Sequence, residues 1–266
     1  MNPMHGAILL VMLTLAGCAA QQQQQHQQNT VKPLESTTSD TDTDIRSRAR
    51  IRTELAAGYF AQRNFGVALE EITTALATDS NYGPAHNVAG LIYAELRDDR
   101  LAEQYFQNAL RINAADPDAN NNYGMFLCNR KREDQGIKHL LAAVSNPLYQ
   151  TPARSYVNAG MCARQRGDNA AAEEYFRSAL KSQPNNIQAV YQLADLTYMR
   201  GNFVETRAHI SRLLPVASQS PEILWLALRT ERKLGDANSE ASFALQLRQH
   251  FPASKEAQAL AAGRFE

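Results

Sequence analysis

Residues 156–180 read YVNAGMCARQRGDNAAAEEYFRSAL. Apolar residues recur three and four apart on both sides of Gly167, the spacing of two helices joined by a short turn. Gly160 in the first half and Ala172 in the second are small enough to let the two helices approach closely, and Phe176 is placed to fill the wedge between them.

The pattern repeats outward from this stretch. LAAGYF, AGLIYA, YGMFLC, AGMCAR and LADLTY align, with Gly90 to Gly124 spaced 34 residues apart, Gly124 to Gly160 36, and Gly160 to Ala194 34. The turn glycines Gly167, Gly201 and Gly235 keep the 34-residue step. Two helical patterns per 34 residues is the tetratricopeptide signature. The predicted fold is all-α: a tetratricopeptide-repeat right-handed superhelical solenoid of about six helix-turn-helix units. The units are 49–82, 83–116, 117–150, 153–186, 187–220 and 221–254, with a capping helix at 255–266 to cover the open end. The second unit carries Gly90, Tyr93, Ala102, Phe106 and Ala109 at the consensus places, and the fourth carries Tyr156, Gly160, Ala172, Phe176, Ala179 and Pro184. The third holds Gly124, Gly136, Leu140 and Ala143 and is followed by a two-residue insertion near Gln150 and Thr151. The fifth and sixth diverge, with Thr206 and Glu240 where a small residue is usual.

Composition narrows the function. Lys plus Arg and Asp plus Glu both total 27, which leaves no net field to hold nucleic acid. No HExxH, GxxxxGK[ST] or GxSxG occurs, and the six histidines are scattered without ligand spacing, so neither an enzyme nor a metal site nor a small-molecule substrate is expected. Acidic pairs such as Glu70-Glu71 and Glu173-Glu174 read as solvated faces of second helices.

The amino terminus gives an address. Residues 7–15, AILLVMLTL, are too short to span a bilayer, which needs about 20 apolar residues, and have the length of a signal-peptide core. Leu15-Ala16-Gly17-Cys18 resembles the bacterial lipobox. The resemblance implies removal of residues 1–17 and a lipidated Cys18, the covalent lipid being the only non-protein group expected. Each buried CH₂ of an acyl chain contributes about 0.8 kcal/mol, so several chains hold firmly. Ala19, in place of Asp, implies the outer membrane, on its periplasmic face. Residues 18–44 hold this cysteine and a Gln/Ser/Thr/Asp-rich run that buries too little apolar surface to fold, and a disordered tether is expected there, with the repeat domain at 45–266.

The first helices of such a stack form its concave face, which holds peptides or partner helices. Positions 2, 5, 9, 12 and 13 of each unit generally line it, which selects Asn87, Leu91, Asn121, Met125, Met161, Tyr191, Tyr198 and Met199 as groove candidates. Asn87 and Asn121 can pair with a peptide backbone, and the Met and Tyr residues offer an adaptable apolar floor. Alternatively, such residues pack only against the next helix. The Lys and Asn clamp for a chaperone carboxylate is absent: Thr53, Ala57 and Asn87 stand where it would begin. Cys128 and Cys162 fall on adjacent first helices, and export to an oxidising compartment predicts a disulfide between them.

Three stretches carry a closer likeness: 120–140 (NNNYGMFLCNRKREDQGIKHL), 156–180, and 226–254 (LALRTERKLGDANSEASFALQLRQHFPAS). With the lipobox and tether they resemble the type IV pilus biogenesis and stability lipoprotein family, the pilotins of the pilus secretin. The resemblance implies an outer-membrane scaffold that binds the type IV pilus secretin subunit and promotes its localisation and multimerisation, enabling pilus extrusion and twitching motility. A tetratricopeptide lipoprotein serving another outer-membrane assembly or envelope-maintenance complex is the alternative.

Overall fold

A computed structural model describes residues 38–217 and 220–265. The expected signal peptide, Cys18 and most of the expected tether lie outside the described residues. Within them are thirteen helices and no strand. The helices pair as α1 (Thr38–Ala61) with α2 (Phe65–Thr78), α3 (Gly83–Glu95) with α4 (Asp99–Ile112), and α5 (Pro117–Asn129) with α6 (Glu133–Val144). The series continues with α7 (Pro152–Gln165) and α8 (Asn169–Ser182), α9 (Ile187–Met199) and α10 (Phe203–Ala217), then α11 (Pro221–Leu234) and α12 (Ala237–His250). The seven-residue α13 (Lys255–Ala261) lies against α11 and α12, and its Ala257 and Leu260 close the last apolar cluster with Leu224, Leu228 and Leu247. No described helix is long and apolar enough to cross a membrane.

The helix ends follow from the sequence. Asp98, Asp116, Asp168, Asn186 and Asp236 each cap the next helix by accepting a hydrogen bond from an otherwise orphaned amide. Pro84, Pro117, Pro152 and Pro221 stand in first turns, where a missing N–H costs nothing. The turn inside each pair takes a left-handed residue at one fixed place: Arg63, Arg97 and Lys131 in the first three units, then Gly167, Gly201 and Gly235.

Close approach at the small residues sets the geometry within a pair. A methyl group on Gly90 would lie 2.7 Å from the Phe106 ring, and one on Gly160 would lie 2.4 Å from that of Phe176. The divergent units replace this contact with side-chain pairing. Thr206 is fully buried and its hydroxyl meets that of Thr197 at 3.0 Å, while Glu240 accepts from Arg232 at 2.8 Å.

One boundary differs from the sequence expectation. Helix α1 begins at Thr38, so residues 38–44 are helical rather than part of the tether. Asp44 pairs with Arg48 one turn on at 3.5 Å, and Arg46 reaches Asp79 of the first unit at 3.4 Å.

Candidate partner-binding groove

Successive first helices touch: α1 with α3, α3 with α5, α5 with α7, and α9 with α11. Successive second helices do not pack comparably, so the stack curves with the first helices inside. The groove candidates all lie on these inner helices.

Asn87 and Asn121 are brought together, but by the protein itself. Asn122 donates to Asn87 Oδ1 at 3.2 Å, and Asn121 Nδ2 donates to Asn122 Oδ1 at 3.1 Å. Asn121 Oδ1 accepts from Ser155 Oγ at 2.8 Å and from Asn158 Nδ2 at 2.9 Å. This amide ladder ties α3, α5 and α7 across three units. Asn121 is 3% exposed, so its amide is committed to the stack rather than offered to a peptide. Asn122, Ser155 and Asn158 were not among the sequence candidates; the signal was the polar residue at position 6 of three consecutive units, Asn122, Asn158 and Gln192.

The apolar candidates keep more surface. Leu91, Met125, Met161, Tyr191 and Tyr198 are half-buried, each packed on a core cluster with one side left open, and Met199 is exposed. Burial pushes the Tyr191 hydroxyl above its ordinary value of 10.0, so it is a neutral hydrogen-bonding group. Arg164 on α7 pairs with Asp195 at 2.7 Å and also bonds Gln192, both on α9, closing the same face where the asparagines end.

Cys128 on α5 and Cys162 on α7 form a disulfide, with Cα atoms 5.6 Å apart. The room for it comes from a small residue on α6: a methyl group on Gly136 would stand 2.4 Å from Cys128 Sγ. The two-residue insertion after α6 is held by Tyr149, 8% exposed, whose hydroxyl meets Ser155 Oγ at 3.1 Å and accepts from Arg154. Disulfide, ladder and insertion therefore converge on the α5–α7 seam.

Sequence reasoning also missed an apolar face at the amino-terminal end. Ile51 and Leu55 of α1 are 50% and 43% exposed, and with Gly58 and Tyr59 they border a hollow of about 380 Å³. The equivalent positions of later units, such as Ala85 and Ala89 or Ala189 and Leu193, are buried against the preceding unit, and among the described residues no unit stands before the first.

Tetratricopeptide-repeat family models match residues 53–120 and 163–231. A type IV pilus assembly protein, PilF, of Pseudomonas aeruginosa is 28% identical over 251 residues, 94% of this chain and 95% of the relative. The crystal structure of PilW, described as a widely conserved type IV pilus biogenesis factor, superposes with a TM-score of 0.72 at 28% identity, over 80% of this chain and 98% of that one. A solved structure of the Pseudomonas aeruginosa PilF gives 0.73 at 28% identity, over 82% and 99%. The repeat-model matches, the superposition and the likeness along nearly the whole length agree, and the chain belongs to the PilF/PilW family of type IV pilus tetratricopeptide-repeat proteins.

Proposed function

We propose that this chain is a pilotin: a lipid-anchored scaffold on the periplasmic face of the outer membrane that binds the type IV pilus secretin subunit and promotes its multimerisation. The observation that carries this reading is the likeness to a pilus assembly protein over 251 residues. Only 229 residues run from Thr38 to the end of the chain, so the likeness extends into the segment that precedes the solenoid. That segment contains the Leu15-Ala16-Gly17-Cys18 sequence. A lipid on Cys18 and a tether to residue 37, 19 residues of polar chain with an r.m.s. span of about 25 Å if flexible, would keep the solenoid near the membrane surface without inserting it.

The solenoid supplies binding rather than chemistry. Leu91, Met125, Met161, Tyr191 and Tyr198 give an interrupted apolar strip along the inner helices, suited to an extended segment or a partner helix. Asn87 and Asn121 hold the strip's backbone in register instead of touching the partner. Capture of the lipidated protein from outer membranes of the native strain tests the reading. The secretin is expected in the captured fraction and is expected to be reduced in a Cys18→Ser strain. Its absence from the wild-type fraction would refute the assignment.

A further inference from the structure

The carboxy-terminal end of the inner face differs in chemistry from the rest. Register places Trp225, Arg229, Arg232 and Lys233 of α11 at positions 5, 9, 12 and 13 of the sixth unit, the places that line the concave side. Tyr198 of α9 and the segment after α13 complete the surroundings. A hollow of about 680 Å³ is lined by Tyr198, Arg229, Arg232, Lys233, Gly263, Arg264 and Phe265: four cationic side chains and, among the described residues, no carboxylate. An adjoining hollow of about 460 Å³ shares Arg229 and Arg264, adds Trp225, and is mixed in charge, with Lys255, Glu222 and Glu256 also on its wall.

The cations are unevenly satisfied. Arg232 has Glu240 at 2.8 Å, but among the described residues no acidic side chain lies within ion-pair distance of Arg229, Lys233 or Arg264. Arg229 Nε is buried without a hydrogen-bond partner. Its guanidinium is instead 4.6 Å from the Tyr198 ring centroid and 5.8 Å from that of Trp225. Trp225 stacks on Phe265 at 5.7 Å, and Arg232 lies over the same Phe265 ring at 3.9 Å. Aromatic faces thus hold two guanidinium groups in fixed planes, which lowers the entropy lost when they bind a planar anion.

We propose that the larger hollow is a binding site for an acidic peptide segment, with Arg229, Lys233 and Arg264 pairing its carboxylates, Tyr198 and Phe265 packing its apolar parts, and Trp225 stacked behind Phe265. Charge complementarity selects the ligand class: guanidinium and carboxylate match in a two-point geometry, and the concave face of a repeat stack takes extended chains. The site lies in the last unit and uses arginine, unlike a carboxylate clamp of Lys and Asn in the first. It adjoins the α9 end of the apolar strip, sharing Tyr198 with it, and does not depend on the identity of the partner.

Trp225 is the only tryptophan of the chain, so its fluorescence reports directly on the site. The purified full chain is titrated with a blocked hexaglutamate peptide. A saturable change in Trp225 emission is expected, weakened by added salt and absent with hexaglutamine. Lys233→Gln combined with Arg264→Gln, both exposed and therefore neutral for folding, is expected to weaken hexaglutamate binding at least tenfold at unchanged Tm. Arg229→Gln is expected to do the same; should it fail to fold, the double variant carries the test alone. No saturable response to hexaglutamate, equal binding of hexaglutamine, or full affinity in the double variant would each overturn the proposal. So would binding to phosphatidylglycerol vesicles through these residues with no response to the peptide.

Discussion

Gly136 of α6 stands so close to Cys128 of α5 that a single added methyl group would come within 2.4 Å of the sulfur that bonds Cys162. A glycine at a place where the repeat usually has alanine is thus the local condition for a bridge between the third and fourth units. Gly136→Ala is expected to lower Tm by several degrees in the oxidised protein, because the disulfide pins Cys128 against retreat. In a Cys128→Ala/Cys162→Ala background the same substitution is expected to cost less. Thermal melts of the four proteins check the coupling, and equal costs in both backgrounds would contradict it.

The bridge itself closes a loop of 34 residues between two helices already in contact. On the chain-entropy account its loss destabilises by about 3–4 kcal/mol. Urea melts of the Cys128→Ser/Cys162→Ser protein against wild type measure it. Peptide mapping without reduction is expected to recover 128 and 162 in one linked fragment.

The asparagine ladder predicts a structural effect at a residue that the repeat register assigns to the groove. Asn121→Ala leaves Ser155, Asn158 and Asn122 each short of a partner in a buried seam. A loss of about 2–3 kcal/mol is expected from the denaturant midpoint. Met125→Ala, half-buried on the same helix, is expected to cost less stability and to weaken partner capture more.

Much of this fold is legible in the sequence because its determinants are local and repeated. The 34-residue step, small residues at Gly90, Gly124 and Gly160, and aspartate caps before second helices specify six helix pairs without reference to distant contacts. The start of α1 was not legible, because TSDTDTD has no apolar periodicity and its helix rests on charge pairs to Arg48 within the helix and, from Arg46, to Asp79. The site was legible only in register. Which side of position 5 is open depends on whether the neighbouring unit offers partners: Asn121 meets Ser155 and Asn158, whereas Tyr191 keeps an open side. The basic end escaped notice because Arg229, Lys233 and Arg264 are spread over 36 residues and converge only when α13 folds back on α11.

The first three units carry Arg63, Arg97 and Lys131 in the left-handed region, at φ of 60°, 64° and 60°, where the later units carry glycine. A side chain there is strained by about 1 kcal/mol or more, partly offset by the greater freedom of glycine in the unfolded chain. Lys131→Gly is therefore expected to stabilise by about 0.5–1 kcal/mol, and Gly167→Lys to destabilise by a similar amount. Denaturant midpoints of the two proteins give the sign.

Acid is expected to weaken the fold through two histidines. His139 Nδ1 donates to Asn120 Oδ1, 2.9 Å away, and the ring packs against that of Tyr123, while His209 lies beside Glu205. Burial holds both below the ordinary value of 6.5, with Lys138 adding to the effect at His139. The unfolded chain then binds protons first as pH falls, so the stability these neutral rings contribute is complete above about 6.5 and is lost progressively below it. Tm measured from pH 7.5 to 5 is expected to fall, and His139→Gln is expected to flatten part of that slope.

If this chain assembles the pilus secretin, as proposed, a strain that lacks it loses the assembled ring. Outer membranes from the strain lacking this chain are separated by electrophoresis under conditions that preserve secretin multimers, and the multimer band is compared with wild type. Loss of the multimer, with secretin monomer persisting and restored to multimer by the wild-type chain but poorly by Cys18→Ser, is the expected result. A full multimer band at the outer membrane, together with normal pili, would refute the proposed role.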